Sequence, residues 1–302
     1  MSRFIVRLVI ALNLLAVSNC ALSDITDKSY WVKKIQSVAQ HSLKAWNDRD
    51  DKGESDSSSA ADADEVAPKV LAFTGEQLVI DYHRFTVYYD CNRRGFDYST
   101  FVAHEDVGDL PRYEPFNKEP LLENYDCPSQ KTTSSYKKTP GHPQYHRGHG
   151  ITSNHNDDSE YYMSLTNRMT NVVPHNGVQN TRGLWRHLEK RVECARDVAP
   201  VTVYLGNYWG NDTSNDLFIR THGVPTPDYI WRIHVYDKYP NQAFVWLIKN
   251  DESTLPADED SARVDLEKLK TLLSSEYDIS LPDEWVTSNN KDPYRNLTCS
   301  LK

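Results

Sequence analysis

Residues 48–66 decide how the rest of this chain of 302 residues can fold. Between 48 and 65 they carry eight acidic and two basic side chains and no aromatic one, with Ser57, Ser58 and Ser59 at the centre. Such a segment cannot bury enough apolar surface to offset the entropy of ordering it, and we read it as an acidic, disordered linker. The folded mass is therefore expected over 67–302, with a short helical segment over 22–47 ahead of the linker. In that segment Trp31, Ile35, Val38 and Trp46 recur near helical spacing.

The first residues read as a targeting segment. Arg3 and Arg7 flank an apolar run, Leu8 to Val17, that is too short to span a bilayer. Ser18-Asn19-Cys20-Ala21 follows, with small residues suited to cleavage, so residues 1–21 read as a secretory signal peptide and the mature protein as secreted and extracellular. The cysteines agree with export. Of five, removal of Cys20 leaves Cys91, Cys127, Cys194 and Cys299, an even number that allows two disulfides in any of three pairings. Asn211-Asp212-Thr213 and Asn296-Leu297-Thr298 are acceptor sequons for a host that glycosylates. No second long apolar run is present, so no stable membrane association is expected.

The net charge of −9 argues at first against a polyanionic partner. Most of it is local. The linker carries the eight acids already counted, and residues 251–260 carry five more and no base. What remains is close to neutral, which permits a locally basic groove but predicts modest steering.

Within the folded region, residues 78–90 and 98–104 are rich in Val, Tyr, Phe and Thr and read as strands. Residues 125–148, with Pro140, Pro143 and many hydroxyls, read mostly as loop. Leu184, Trp185, Leu188, Val192 and Ala195 fall at helical intervals over 183–196. Strands are expected at 200–206, 229–236 and 243–249, and an amphipathic helix over 260–275. Strands before and after a helix-bearing middle favour the α+β class.

Chemistry concentrates in Tyr145-His146-Arg147-Gly148-His149-Gly150 and, about thirty residues on, in Asn180-Thr181-Arg182-Gly183-Leu184-Trp185-Arg186-His187-Leu188-Glu189. Together these supply a base, cations for phosphate oxygens, a neutral oxygen donor and a carboxylate, which is the set that phosphodiester hydrolysis needs. The first segment resembles the Asp-Arg-Gly-His signature of the DNA/RNA non-specific endonucleases, the ββα-metal nucleases. The resemblance extends to other ordered elements. Thr170-Asn171-Val172-Val173-Pro174 is similar to the family's Ser-Asn-Ile-x-Pro element, and Leu184-Trp185 with Leu188-Glu189 to its Trp-x-x-Leu-Glu helix. Arg93-Arg94, then Arg112 before Phe116 and Leu121, follow the family's order, as does Val201-Thr202-Val203-Tyr204-Leu205-Gly206 downstream.

The resemblance implies a ββα-metal core with a central antiparallel sheet flanked by helices, acting on DNA and RNA with Mg²⁺ or Mn²⁺. It implies His149 as general base, Asn180 as the side chain that holds the metal, and Glu189 as the group that orients the metal's waters. It gives Arg147 and Arg112 phosphate oxygens to contact, and Asn171 a part in positioning the site. Two departures stand out. His146 occupies the place of the signature's Asp, and one extra residue separates Asn180 from Trp185, which strict spacing would resolve by putting Thr181 at the metal. His175 replaces the usual Gln after Pro174.

Two rival functions follow from the same residues. Six of the 11 histidines lie between His142 and His187, which raises a zinc-dependent hydrolase. His146 and the shifted Asn180 raise a catalytically degenerate nuclease fold that binds nucleic acid or protein. Residue by residue, Asn180 could instead cap the next helix, and Glu189 could be a solvated helix residue paired with Arg186 or Arg182.

Overall fold

The computed structural model describes residues 65–299. The expected signal peptide, the 22–47 helix and almost all of the linker lie outside these residues. Ten strands form along the described chain: β1 (Lys69–Phe73), β2 (Gln77–Asp81), β3 (Phe85–Asp90), β4 (Gly95–Ala103), β5 (Tyr145–His149), β6 (Val172–Asn176), β7 (Val201–Tyr208), β8 (Tyr229–Tyr236), β9 (Gln242–Lys249) and β10 (Val286–Thr287). Five α-helices accompany them: α1 (Glu160–Thr166), α2 (Gly177–Thr181), α3 (Leu184–Ala195), α4 (Glu259–Ala262) and α5 (Leu266–Leu273). The class is α+β.

Eight strands make one sheet in the order β1-β2-β3-β4-β7-β8-β9-β10. It is antiparallel except at the β9–β10 edge. Strand β8 explains why this sheet is central. Nearly every one of its residues is buried, although Arg232 and His234 are polar. Because side chains alternate across a sheet, Arg232 faces one side, where its guanidinium lies 4.7 Å over the Trp185 ring of α3. Trp231 faces the other and donates its indole N–H to the Tyr277 hydroxyl at 3.0 Å, just past α5. Burial on both faces removes the alternation that a half-exposed strand would show.

The second sheet holds only β5 and β6, paired antiparallel from Tyr145↔Asn176 to His149↔Val172. Asn250, buried at the end of β9, ties this hairpin to the large sheet. It accepts from the Asn176 amide at 2.8 Å and donates to Pro174 O at 3.0 Å and Pro227 O at 2.9 Å. Helices α2 and α3 follow β6 directly, so β5, β6 and the helix form a ββα unit standing on the sheet. The disulfides are Cys91–Cys127 and Cys194–Cys299. The second closes a span of 105 residues and fastens the chain's far end to α3. Among the described residues no helix is long and apolar enough to cross a membrane.

Three local expectations change. The single strand expected over 78–90 is a hairpin, because the chain turns at Tyr82–Arg84, with His83 at φ 70° and its N–H held by Asp81 Oδ1. The helix expected over 260–275 is two, α4 and α5. Asp265 starts the second by accepting from the amides of Glu267 and Lys268, as an N-cap does. The expected loop over 125–148 ends in β5, whose five residues were hidden by their polarity.

Candidate active site

The site is built on the ββα unit. Gly148 lets its two strands close: a Cβ there would stand 2.2 Å from the Cβ of His175 on β6, so only glycine fits between Arg147 and His149. Just past β5, Asn171 clamps the chain. Its Oδ1 accepts from Ile151 N at 2.9 Å, and its Nδ2 donates to Ile151 O and Thr166 O, both at 2.8 Å. Asn171 is fully buried and acts on the turn after His149 rather than facing the cavity.

His149 is half-buried at the end of β5. Its Nε2 lies 2.7 Å from Asn167 Oδ1, and Asn167 Nδ2 donates to Tyr113 O at 2.6 Å. With its amide N–H so used, Asn167 presents oxygen to the ring, which makes Nε2 the protonated nitrogen and leaves the lone pair on Nδ1. Burial pushes the His149 pKa down to about 4. The Asn167 hydrogen bond opposes the fall, while Arg112 and Arg147 add to it. The imidazole is thus neutral and able to accept a proton at neutral pH.

The position of Asn180 is settled by the helix start. Asn180 caps neither helix: Gly183 holds the cap position of α3, and Asn180 lies within α2, which Asn176 caps by accepting from Val178 N at 2.8 Å. The helix then breaks: the amides of Arg182 and Gly183 both reach Val178 O, and α3 begins at Leu184. That break absorbs the extra residue. Thr181 turns its hydroxyl back onto Gly177 O at 2.7 Å. Asn180 instead shares a cavity of about 180 Å³ with Arg112, His149, Arg186, Glu189 and Glu193. The Asn180 Nδ2 points to His146 Nδ1 at 3.4 Å, so its oxygen has no hydrogen-bond partner among the described residues.

Glu189 is buried and held rather than solvated. Trp185 Nε1 donates to its Oε1 at 2.9 Å, Arg186 to its Oε2 at 3.3 Å, and the Arg232 guanidinium stands 3.7 Å away. Burial raises its pKa, while Arg232 and Arg186 pull it back. A wider groove of about 780 Å³ continues from the cavity and is lined by Arg112, Phe116, Lys137, Lys138, His146, Arg147, Asn180 and Arg186, among others. In it Arg147 lies 3.6 Å over the Phe116 ring and donates to Thr133 O at 3.0 Å. Exposed Arg112 has no ion-pair partner among the described residues.

His149, Asn180, Glu189 and Arg112 therefore meet in one cavity, His146 and Arg147 flank it in the groove, and Asn171 supports it from behind. Asn167, Arg186 and Glu193 were not anticipated. Asn167 lies in no motif, and the other two read as ordinary helix charges. A divalent cation is compatible with the donors present. Asn180 offers a neutral oxygen with no hydrogen-bond partner among the described residues, in a cavity that two carboxylates also line, the hard-oxygen chemistry suited to an ion that keeps most of its waters. A catalytic zinc needs three protein ligands, and among the described residues no group of three or more His, Cys, Asp or Glu could hold a metal.

Comparison with known proteins agrees with this architecture. The family model described as DNA/RNA non-specific endonuclease matches residues 62–284. No curated protein matches significantly. Among solved structures, a chain of the EndoG/EndoGI complex, a crystal structure on the mechanism of EndoG inhibition, superposes with a TM-score of 0.50. It is 14% identical and covers 65% of this chain and 83% of its own. That likeness carries the fold, and the family match spans more than half of the sequence: the chain belongs to the DNA/RNA non-specific endonuclease family and is a nuclease with the EndoG-like ββα-metal fold.

Proposed function

We propose that this nuclease is an exported, Mg²⁺- or Mn²⁺-dependent enzyme that hydrolyses the backbone of DNA and RNA without reading sequence. One observation carries the reading: a single cavity of about 180 Å³ gathers His149, Asn180, Glu189 and Arg112. In this reading His149 Nδ1 takes a proton from water. The resulting hydroxide adds to phosphorus as the bond to the leaving oxygen breaks. Arg112, which has no ion-pair partner among the described residues, and Arg147, braced on Phe116, neutralise the charge that builds on the phosphate oxygens. Burial is the main cause of the low His149 pKa and these same cations add to it, so a bound phosphate that neutralises them returns part of the ring's basicity. Asn180 would hold the divalent ion and Glu189 would orient its waters; when bound, that ion supplies further stabilisation of the phosphorane and of the departing oxygen. In the same reading His146, whose Nδ1 lies 3.4 Å from the Asn180 amide nitrogen, would hold that amide by its nitrogen and leave the oxygen for the ion. Contacts of this kind go to phosphates, which carry no sequence information.

Export is supported by the leader pattern over 1–21 and by two disulfides, which persist in oxidising compartments. Asn211 and Asn296 are exposed, as glycan acceptors must be. We propose the domain limits already given, with the nuclease domain over 67–302.

The test is cleavage of supercoiled plasmid and of RNA with Mg²⁺, Mn²⁺, Zn²⁺ or chelator, beside His149→Ala. Cleavage with Mg²⁺ or Mn²⁺ that falls by about 10²-fold or more in the variant is expected. Activity with zinc alone that survives His149→Ala would sink the assignment. Folded protein that binds DNA but cuts with no metal would make it a degenerate binding module.

A further inference from the structure

Two charged side chains of the cavity have no part in the mechanism above. Arg186, Glu189 and Glu193 lie along one face of α3, at spacings of three and four. Arg186 Nη1 donates to Glu189 Oε2 at 3.3 Å and to Glu193 Oε1 at 3.1 Å. The two acids are not equivalent. Glu189 is also held by Trp185 and faces Arg232, whereas Glu193 has no other hydrogen-bond partner than Arg186 among the described residues. Its second oxygen, Oε2, is buried and unpartnered. A buried carboxylate left half-matched is costly. The Arg186 side chain is 25% exposed against 8% and 3% for the two acids, so it is the member of the trio with a way out. It lines the wider groove as well as the cavity.

The charges settle what this trio can do. Among the side chains that line the cavity, Arg112 and Arg186 balance Glu189 and Glu193, and Arg232 stands behind Glu189 at 3.7 Å, so a divalent ion enters a pocket with no excess of negative charge. We propose that Arg186 is a resident counter-cation of the metal site. It neutralises Glu189 and Glu193 while the site is empty, competes with the divalent ion for their field, and thereby holds cation affinity low. When an ion takes over that field, the guanidinium is released toward the groove, where Arg112 and Arg147 already face the path of the phosphate. Glu193 is then the second carboxylate that draws the ion in, and its unmatched oxygen gains a use. This rests on the reading of the cavity as a cation site at Asn180.

The experiment is Mn²⁺ binding to the purified protein without nucleic acid, by calorimetry or by the electron paramagnetic resonance of free Mn²⁺, with thermal unfolding in chelator as the check of fold. Arg186→Gln is expected to bind Mn²⁺ at least about tenfold more tightly, because one repelling charge has left a small, partly desolvated cavity. Arg186→Lys, which keeps the charge, stays within about threefold of the wild type by the same argument. Glu193→Gln is nearly isosteric and keeps the proposal open to refutation if Arg186→Gln fails to fold; it is expected to weaken binding by about tenfold. Affinities of Arg186→Gln and Glu193→Gln that match the wild type, or that move in the same direction, overturn the proposal. Asn180→Ala separates the two levels. If it binds Mn²⁺ like the wild type, or if the wild type binds none, the cation site itself is wrong. If it loses binding while Arg186→Gln changes nothing, only the role of Arg186 falls.

Discussion

Asn167 sets the chemistry of His149 without belonging to any motif. Its carbonyl oxygen holds Nε2–H at 2.7 Å, so the tautomer and the ring plane both depend on it. Asn167→Ala should lower kcat by roughly 10–100-fold with little change in KM, because supporting contacts of this kind typically carry that factor. Steady-state kinetics on plasmid DNA would check it, and a kcat within twofold of the wild type would remove Asn167 from the site. Gly148→Ala is predicted to fail in another way. The added Cβ meets the Cβ of His175 at 2.2 Å, so the hairpin must shift, at a cost of about 1–3 kcal/mol in urea unfolding. His175→Ala cannot relieve that clash, because it keeps the offending atom; His175→Gly can. The sequence allowed the Arg-Gly-His segment and the residues that share its cavity and groove to be picked out, because ordered spacing limits where side chains can meet. It did not reveal Asn167. An Asn eighteen residues from its partner has no period and no neighbour to announce it, and only the return of the chain past Tyr113 brings it to the ring.

At the scale of elements, the same limits have physical causes. Helix α3 was legible because its apolar residues recur at helical intervals and all of them are buried. Strand β5 was not, since His146 and Arg147 line the groove and His149 lines the cavity, and their polarity removes the apolar signal a strand normally gives. The extra residue before Trp185 was visible in the sequence, but its remedy was tertiary. Gln179 bridges the break: its amide donates to Asp251 O and Thr254 O at 3.1 and 2.7 Å, and its oxygen accepts from Trp185 N at 3.3 Å. Cys194–Cys299 acts on the same helix from its other end, closing a span of 105 residues. A Cys194→Ser/Cys299→Ser variant should lose about 2–5 kcal/mol of unfolding free energy. Since α3 also carries Glu189, the variant's nuclease activity should fall more steeply on warming than that of the wild type. Equal denaturation midpoints for the two proteins would show that the C-terminal tie contributes nothing.

Across the whole molecule, several histidines are buried where they cannot easily charge. Burial lowers the pKa of His175 to about 3 and of His149 to about 4, and takes His155 and His234 well below the ordinary range. Their unfolded values are near 6.5, so below that pH the unfolded chain binds protons that the folded one refuses. Stability that is complete above about pH 6.5 must then be lost as pH falls toward 4, with each net proton adding up to about 1.4 kcal/mol per pH unit to the slope. Asp97 works the other way: burial raises it to about 7, so the folded state keeps its proton between about 3.8 and 7 and is favoured on acidification through that window. Burial raises Asp157, Glu189 and Asp216 as well, but it also lowers His187 and His222, and the six lowered histidines outnumber the four raised carboxyls on the acid limb. His175→Gln tests this cleanly, because His175 Nε2 has no hydrogen-bond partner to lose and glutamine is the family's usual residue there. Urea midpoints measured from pH 4.5 to 8 should fall less steeply with acid in the variant, by about one proton's worth of slope. If the two curves run parallel, His175 is protonated equally in both states and burial is not what limits this fold in acid.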